Sequence, residues 1–288
     1  IKFFDNRTRL DVAYYNTKVD NQIVTVRVSP SSGYILQTRN EGVIRNHGME
    51  LTFDQDIIRK KNVTWTMGLN LGLNRGTVLS LPESVSEITG VQYGDVFTSA
   101  YMGGSTTALT GKDYKRNSDG QVICDENGYP MINPNKNELI GNREAKFSYG
   151  VNSSMNIYGV QFSFLFDGRC GGDVLNVTLR NLISNGNAKI LEQYRGRQVV
   201  FEGVTEHTDA AGNVYYEQNT KPITLDYTTI TNYFYQVSSN FVEDGSYLRL
   251  SYVTLGYDFA RLMKKQNFFK GLKLNFTCNN VFLLTKYT

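Results

Sequence analysis

The sequence predicts an all-β fold: part of a transmembrane antiparallel β-barrel with long extracellular loops and short periplasmic turns. Three observations predict it. Apolar and polar residues alternate along several stretches, those stretches run to ten or more residues, and the connections between them are alternately long and short. Successive strand side chains point to opposite faces, so alternation makes one face apolar and the other polar. A soluble β-sandwich alternates too, but its strands are usually about 5–6 residues long, with turn signals every 8–12 or so. A bilayer-crossing strand needs about 9–11 residues, and barrels put short turns at one rim and long loops at the other. Length and loop asymmetry select the barrel.

Taken in order, the stretch 7–25 sets Leu10, Val12 and Tyr14 against Arg9, Asp11, Ala13 and Tyr15, and a Ser/Pro/Gly turn spans 28–34. From Gly48, Met49, Leu51, Phe53 and Ile57 oppose Glu50, Thr52, Asp54 and Asp56. A short turn at 59–62 leads into the cleanest strand. There Val63, Trp65, Met67, Leu69, Leu71 and Leu73 alternate with Thr64, Thr66, Gly68, Asn70, Gly72 and Asn74. A segment rich in Gly, Ser, Thr, Asn and Tyr follows over 77–142. Phe147, Tyr149, Val151, Met155 and Ile157 then alternate with Lys146, Ser148, Gly150, Asn152, Ser154 and Asn156. A tight turn at Tyr158-Gly159 returns the chain into Val160, Phe162, Phe164 and Phe166. The second long polar segment, 171–245, holds the one helix candidate, 179–196, interrupted at Asn185-Gly186. In the final pair, Val253, Leu255, Tyr257 and Phe259 oppose Tyr252, Thr254, Gly256 and Asp258. After a turn at 260–271, Leu272, Leu274, Phe276 and Cys278 oppose Lys273, Asn275, Thr277 and Asn279.

Composition narrows the function classes. The 288 residues carry a net charge of only +3, which argues against a nucleic-acid partner. No apolar run approaches the length of a transmembrane helix. The mean hydropathy of −0.35 is compatible with a barrel, in which only alternate residues need be apolar. Three cysteines make no disulfide framework; Cys278 reads as packing on an apolar face, and a Cys124–Cys170 bridge has no support. His47 and His207 lack metal-ligand spacing, so no metal site is assigned; the segment 117–128 is rich in Asp and Asn but lacks EF-hand spacing for calcium. No nucleophile elbow, P-loop or dinucleotide fingerprint is present, and no cofactor is implied. Glu50, Asp54 and Asp56 share a strand face as glycosidase carboxylates could, but they read as a hydrated lumen wall, and the chain is not expected to be an enzyme.

Trp65, Tyr158, Tyr257 and Phe259 lie near short-turn ends, and Phe147 and Tyr149 near a long-loop end, as membrane–water boundary aromatics do. About seven spanning strands can be counted. Single-chain barrels use an even number, eight at least, and an unpaired edge in lipid leaves backbone groups without partners. The expectation is therefore a part of a larger barrel, with strands before Ile1 and after Thr288.

Several stretches carry a family resemblance: 246–259 with 272–287; 3–23 with its aromatic Tyr14-Tyr15-Asn16; 41–53; 65–81; and 125–152, where Ala145 stands in place of a usual Pro. In this order they resemble the C-terminal barrel region of the SusC/RagA family of TonB-dependent outer-membrane transporters of Bacteroidota, over essentially all of 1–288. The resemblance implies a 22-stranded barrel whose plug, TonB box, earlier strands and final strand lie outside this chain. It also implies active import of an oligosaccharide or peptide at the bacterial outer membrane. The implied partners are a SusD-like surface lipoprotein lid, the TonB-ExbB-ExbD complex through the absent N-terminal part, the glycan or peptide, and surrounding lipid and lipopolysaccharide. Loop tyrosines are the candidate substrate or lid contacts: Tyr93, Tyr101, Tyr114 and Tyr129 in one loop, Tyr215, Tyr216, Tyr233 and Tyr235 in the other. Their competing role is loop packing. Two other functions stay open: a passive porin-like barrel and a soluble carbohydrate-binding β-sandwich.

Overall fold

The computed structural model describes residues 1–288 except 28, 83, 84, 86, 136, 262–270 and 288. Seven long strands make the main sheet: β1 (Thr8–Arg27), β2 (Leu36–Lys60), β3 (Val63–Ser80), β4 (Phe147–Ile157), β5 (Val160–Cys170), β6 (Tyr247–Asp258) and β7 (Lys273–Thr285). They pair in sequence order, all antiparallel, with the two-residue strand Lys2–Phe3 along the free side of β1. The described strands form an open wall. β1 and β7 do not pair with each other.

Register turns the alternation into two continuous faces. Leu10, Phe53, Leu69, Val151, Phe166, Leu250 and Phe282 lie in one row across all seven strands. The neighbouring row runs from Asp11 through Thr52, Asn70, Gly150 and Asp167 to Arg249. Leu71, Leu255 and Phe276 on the apolar face remain 37%, 55% and 76% exposed, values that the inner face of a packed sandwich does not allow. Val63 and Met67 are half-buried by their own sheet neighbours. Among the described residues, the apolar face therefore meets no protein interior.

Several details depart from the sequence reading, each for a local reason. β2 begins at Leu36, twelve residues before Gly48, because its ladder with β1 continues upward as far as Arg27↔Leu36. A register shift between Asp56 and Ile58 puts Ile58, not Ile57, opposite Trp65. A second shift, at Ser251, brings Leu248 and Leu250 onto the face of Val253 and Leu255, so the apolar row continues past an apparent break in parity. Phe259 lies in a 3₁₀ turn, not in β6. Of the turn expected at 260–271, residues 262–270 lie outside the described residues. The helix candidate is two helices, α1 (Val177–Ser184) and α2 (Lys189–Tyr194), separated where Gly186 takes φ +72°. Helical structure over Tyr227–Tyr235, capped by the Asp226 carboxylate accepting from the Thr229 N–H at 2.7 Å, has no apolar periodicity to announce it.

The long segments are folded bodies. In the first, Glu87–Tyr93, Val96–Tyr101, Ala108–Gly111 and Glu138–Asn142 form a four-stranded sheet. In the second, Ile183, Ala188, Leu191, Ile230 and Phe241 form a small apolar core under the helices. Ile123–Cys124 of the first pairs in parallel with Val204 and Thr205 of the second, so the two interlock.

Candidate functional site: the lumenal wall and the loop bodies

The polar face of the wall is hydrogen-bonded within itself. Asp56 accepts from Thr66 Oγ1 at 3.1 Å and lies 3.8 Å from Arg9 and 4.0 Å from Arg59. Asp167 binds Arg249 at 2.9 Å and also accepts from Ser251. The Asp54 carboxylate and Asn152 carboxamide occupy the space over Gly68, where a Cβ would meet Asp54 Oδ1 at 2.7 Å. Asp56 is thus held by its neighbours, with Asp54 packed over Gly68 and Glu50 lining the same polar face. Gly72 and Gly150 leave that wall hollow: two adjoining troughs of ≈ 310 and ≈ 270 Å³ share Glu50, Gly72 and Ser148. Tyr15, which donates to Asn74 Oδ1 at 3.0 Å, stands at their upper end. The small residues of the polar parity are the sequence signal for these troughs, and the loop-centred reading missed it.

Above the wall, ion pairs and aromatic contacts join the loop bodies. Arg180 of α1, its side chain 8% exposed, binds Asp95 of the first loop at 2.6 Å, and Ser238 Oγ donates to the same carboxylate at 2.7 Å. The guanidinium also sits 5.1 Å from the centre of the Tyr235 ring. Burial alone would raise the Asp95 carboxyl; the Ser238 and Arg180 hydrogen bonds and the Arg180 charge outweigh it and hold it below 3.8. Asp113 is held down in the same way against burial by Arg116 and Ser239. Tyr114 Oη donates to the Tyr233 carbonyl at 3.0 Å and accepts from Asn240 Nδ2 at 2.8 Å, and burial pushes its hydroxyl up to about 12.

These contacts sort the eight tyrosines. Tyr114 is 5% exposed and packs edge-on to Phe201, which makes it a tie between the loops. Tyr235 packs against Phe241. Tyr129 and Tyr233 stack at 4.7 Å and stay partly exposed at the seam between the loops. Tyr93 is exposed and accepts from Asn181 Nδ2 at 3.4 Å. Tyr215 and Tyr216 lie exposed on the hairpin 204–218, with Tyr215 stacked on His207. Tyr101 edges a cleft of ≈ 530 Å³ with Glu87, Asn135, Asn137 and Glu138. There Asn137 donates to Glu87 at 2.6 Å and Asn135 to Glu138 at 2.9 Å. In the Asp/Asn-rich segment, Asn117 Oδ1 accepts from the Asp119 and Gln121 N–H groups, and Asp125 Oδ1 from those of Asn127 and Tyr129. Those oxygens cap turns. The three thiols are free, Cys124 buried and Cys278 exposed on the outer face.

A family model for the TonB dependent receptor-like β-barrel matches residues 1–281. The chain belongs to this family. The TonB-dependent receptor barrel described here is 24% identical over 304 residues to the TonB-dependent receptor SusC of Bacteroides thetaiotaomicron, covering 99% of this chain and 28% of that protein. It is 23% identical over 312 residues to TonB-dependent receptor P3 of Formosa agariphila, covering 100% of this chain and 29% of the relative. Among solved structures it resembles the RagAB peptide importer in its open-open state, at TM-score 0.68 and 17% identity over 99% of this chain and 30% of that one. The closed-closed state matches at TM-score 0.66 and 15% identity. At those identities the likeness is one of fold. The chain spans less than a third of the length of these relatives. The TonB-dependent receptor barrel expected from the sequence motifs is the family found, and its fold is that of the RagAB neighbours.

Proposed function

We propose that this chain is one section of a longer TonB-dependent outer-membrane importer, energised by TonB and lidded by a SusD-like lipoprotein. The observation that carries the reading is the family match over 1–281 on a wall with one lipid-compatible and one hydrated face. In this reading a lid would rest on the loop bodies, and the troughs at Glu50 and Gly72 would line the path beneath. The cargo is a nutrient oligosaccharide or peptide. The Tyr101 cleft, an aromatic ring beside two carboxylates and two carboxamides, favours a hydroxyl-rich oligosaccharide, since such groups accept and donate to sugar hydroxyls while the ring stacks on a sugar face. Uptake of candidate oligosaccharides and peptides by cells carrying the native transporter tests this. Import that collapses with the proton gradient is expected; import indifferent to the gradient leaves a passive pore. Tyr101→Ala and Tyr233→Ala are expected to weaken uptake or recovery of the lid complex with the barrel intact, and wild-type values in both remove these two residues. The intact mass of the native protein is expected to lie well above 32.6 kDa.

A further inference from the structure

One short stretch of the second loop grips the first. Ser238 Oγ donates to Asp95 at 2.7 Å, Ser239 Oγ to Asp113 at 2.6 Å, and Asn240 Nδ2 to Tyr114 Oη at 2.8 Å. The N–H groups of Ser238 and Ser239 both donate to the Lys112 carbonyl, at 3.0 and 3.2 Å. These residues belong to a 3₁₀ turn, Ser238–Phe241. At 3.0 residues per turn, successive side chains point about 120° apart, so neighbours can hold different partners. Ser238 and Phe241 are fully buried.

A further set of ties involves other residues of both loops. The Val204 N–H donates to the Val122 carbonyl at 2.8 Å, beside the parallel pairing of Val204 and Thr205 with Ile123 and Cys124. Lys115 meets Glu206 at 3.5 Å. The ties thus reach the first loop at Asp95, at 112–115 and at 122–124, and no single bond can serve as a pivot. The necks are joined too. At the end of the first loop the Asn142 N–H donates to Asp173 Oδ2 of the second at 2.7 Å, and the Gly171 N–H donates to Ser246 Oγ at 2.7 Å.

We propose that the two long loops move as one rigid unit, and that the transporter's entrance opens along the outer boundary of this unit, not between the loops. The statement about the entrance rests on the import reading above; the rigidity does not. Parting the loops would strand Asp95, Ser238 and the Ile123–Cys124 backbone together, each a desolvated group left without its partner.

The test uses the full-length transporter on intact cells of the native bacterium, with Cys170 and Cys278 replaced by serine. Spin labels are attached through Val91→Cys and Ile190→Cys, one exposed site on each loop. A single label-to-label distance is expected, the same with the proton gradient intact or collapsed. A second distance that appears with the gradient overturns the proposal. The double variant R180A/S239A should broaden the distribution, and an unchanged one would mean that these contacts do not hold the unit. Heat-dependent gel mobility reports whether each variant's barrel is folded.

A crosslink supplies the functional arm. Thr205→Cys sets a thiol opposite the native Cys124 in the parallel pair. Neighbouring strands lie about 4.8 Å apart, within disulfide reach. Oxidation is expected to leave uptake of a tryptic casein digest and of a malto-, xylo- and fructo-oligosaccharide mixture as it is in the reduced protein. Uptake that oxidation blocks and reduction restores overturns the proposal. Wild-type uptake indifferent to the gradient overturns the import reading instead, and the spin-label distances still decide the rigidity.

Discussion

At the scale of single residues, Arg180 and Asp95 join two segments 85 positions apart. Arg180→Ala leaves Asp95 desolvated without its cation. Removing one partner of a buried pair costs about 3–5 kcal/mol; Asp95 is 26% exposed, so about 2–3 kcal/mol is expected here. The loss is confined to the loop bodies: amide exchange over 87–111 and 177–194 should speed up about thirtyfold or more, while β3 to β5 stay protected. Tyr114→Phe keeps the ring packing against Phe201 and loses both hydroxyl hydrogen bonds, a change of about 1–2 kcal/mol in the same exchange measurement. Neither partner could be chosen from the sequence. Nothing at Arg180 distinguishes it from the other Lys and Arg residues until the fold brings Asp95 to 2.6 Å.

At the scale of elements, the two faces of β3 predict opposite outcomes for neighbouring substitutions. Leu69→Arg places a cation in the apolar row near mid-strand and should cost about 2–4 kcal/mol in unfolding from bilayers. Asn70→Arg, one residue on, projects into the hydrated lumen beside Thr52 and Gly150 and should change stability by less than about 1 kcal/mol. Similar losses at both positions would remove the facial assignment. The β4–β5 turn offers a second check. Tyr158 and Gly159 take φ +52° and +99°, and a Cβ at Gly159 would sit 3.0 Å from the Asp258 carbonyl. Gly159→Val should therefore cost about 1 kcal/mol or more and slow barrel assembly, read by heat-dependent gel mobility. Both the facing pattern and this turn could be read from the sequence, because strand period and turn chemistry are local properties. The extension of β2 ahead of Gly48 could not: from Leu36 to Arg45 the strand carries no sustained apolar alternation.

At the scale of the whole molecule, wall and loops are stabilised differently, and acid should separate them. The loop bodies lean on Asp95 and Asp113, both held below 3.8 in the folded state. A carboxyl with a depressed folded value contributes its full stability above 3.8 and loses it as pH falls further. Below about pH 3.8 the loops should open, seen as proteolytic sensitivity near 117–128 and 209–213, while the strands, held by backbone ladders, persist in far-ultraviolet circular dichroism. Simultaneous loss of both would contradict the division.

The chain by itself determined the wall. Its period of two, strand lengths and alternating connections require one apolar and one hydrated face, and Tyr158-Gly159 requires its turn, since each follows from covalent geometry within a few residues. Only the tertiary structure decided which loop tyrosines are ties and which stay open, where bulges at Asp56/Ile58 and Ser251 restore the facing rows, and that Gly72 leaves a hollow while the Tyr149 ring fills the space over Gly168. The reason is distance along the chain. Such contacts join residues tens of positions apart, and register across seven strands sets them where no local pattern reaches.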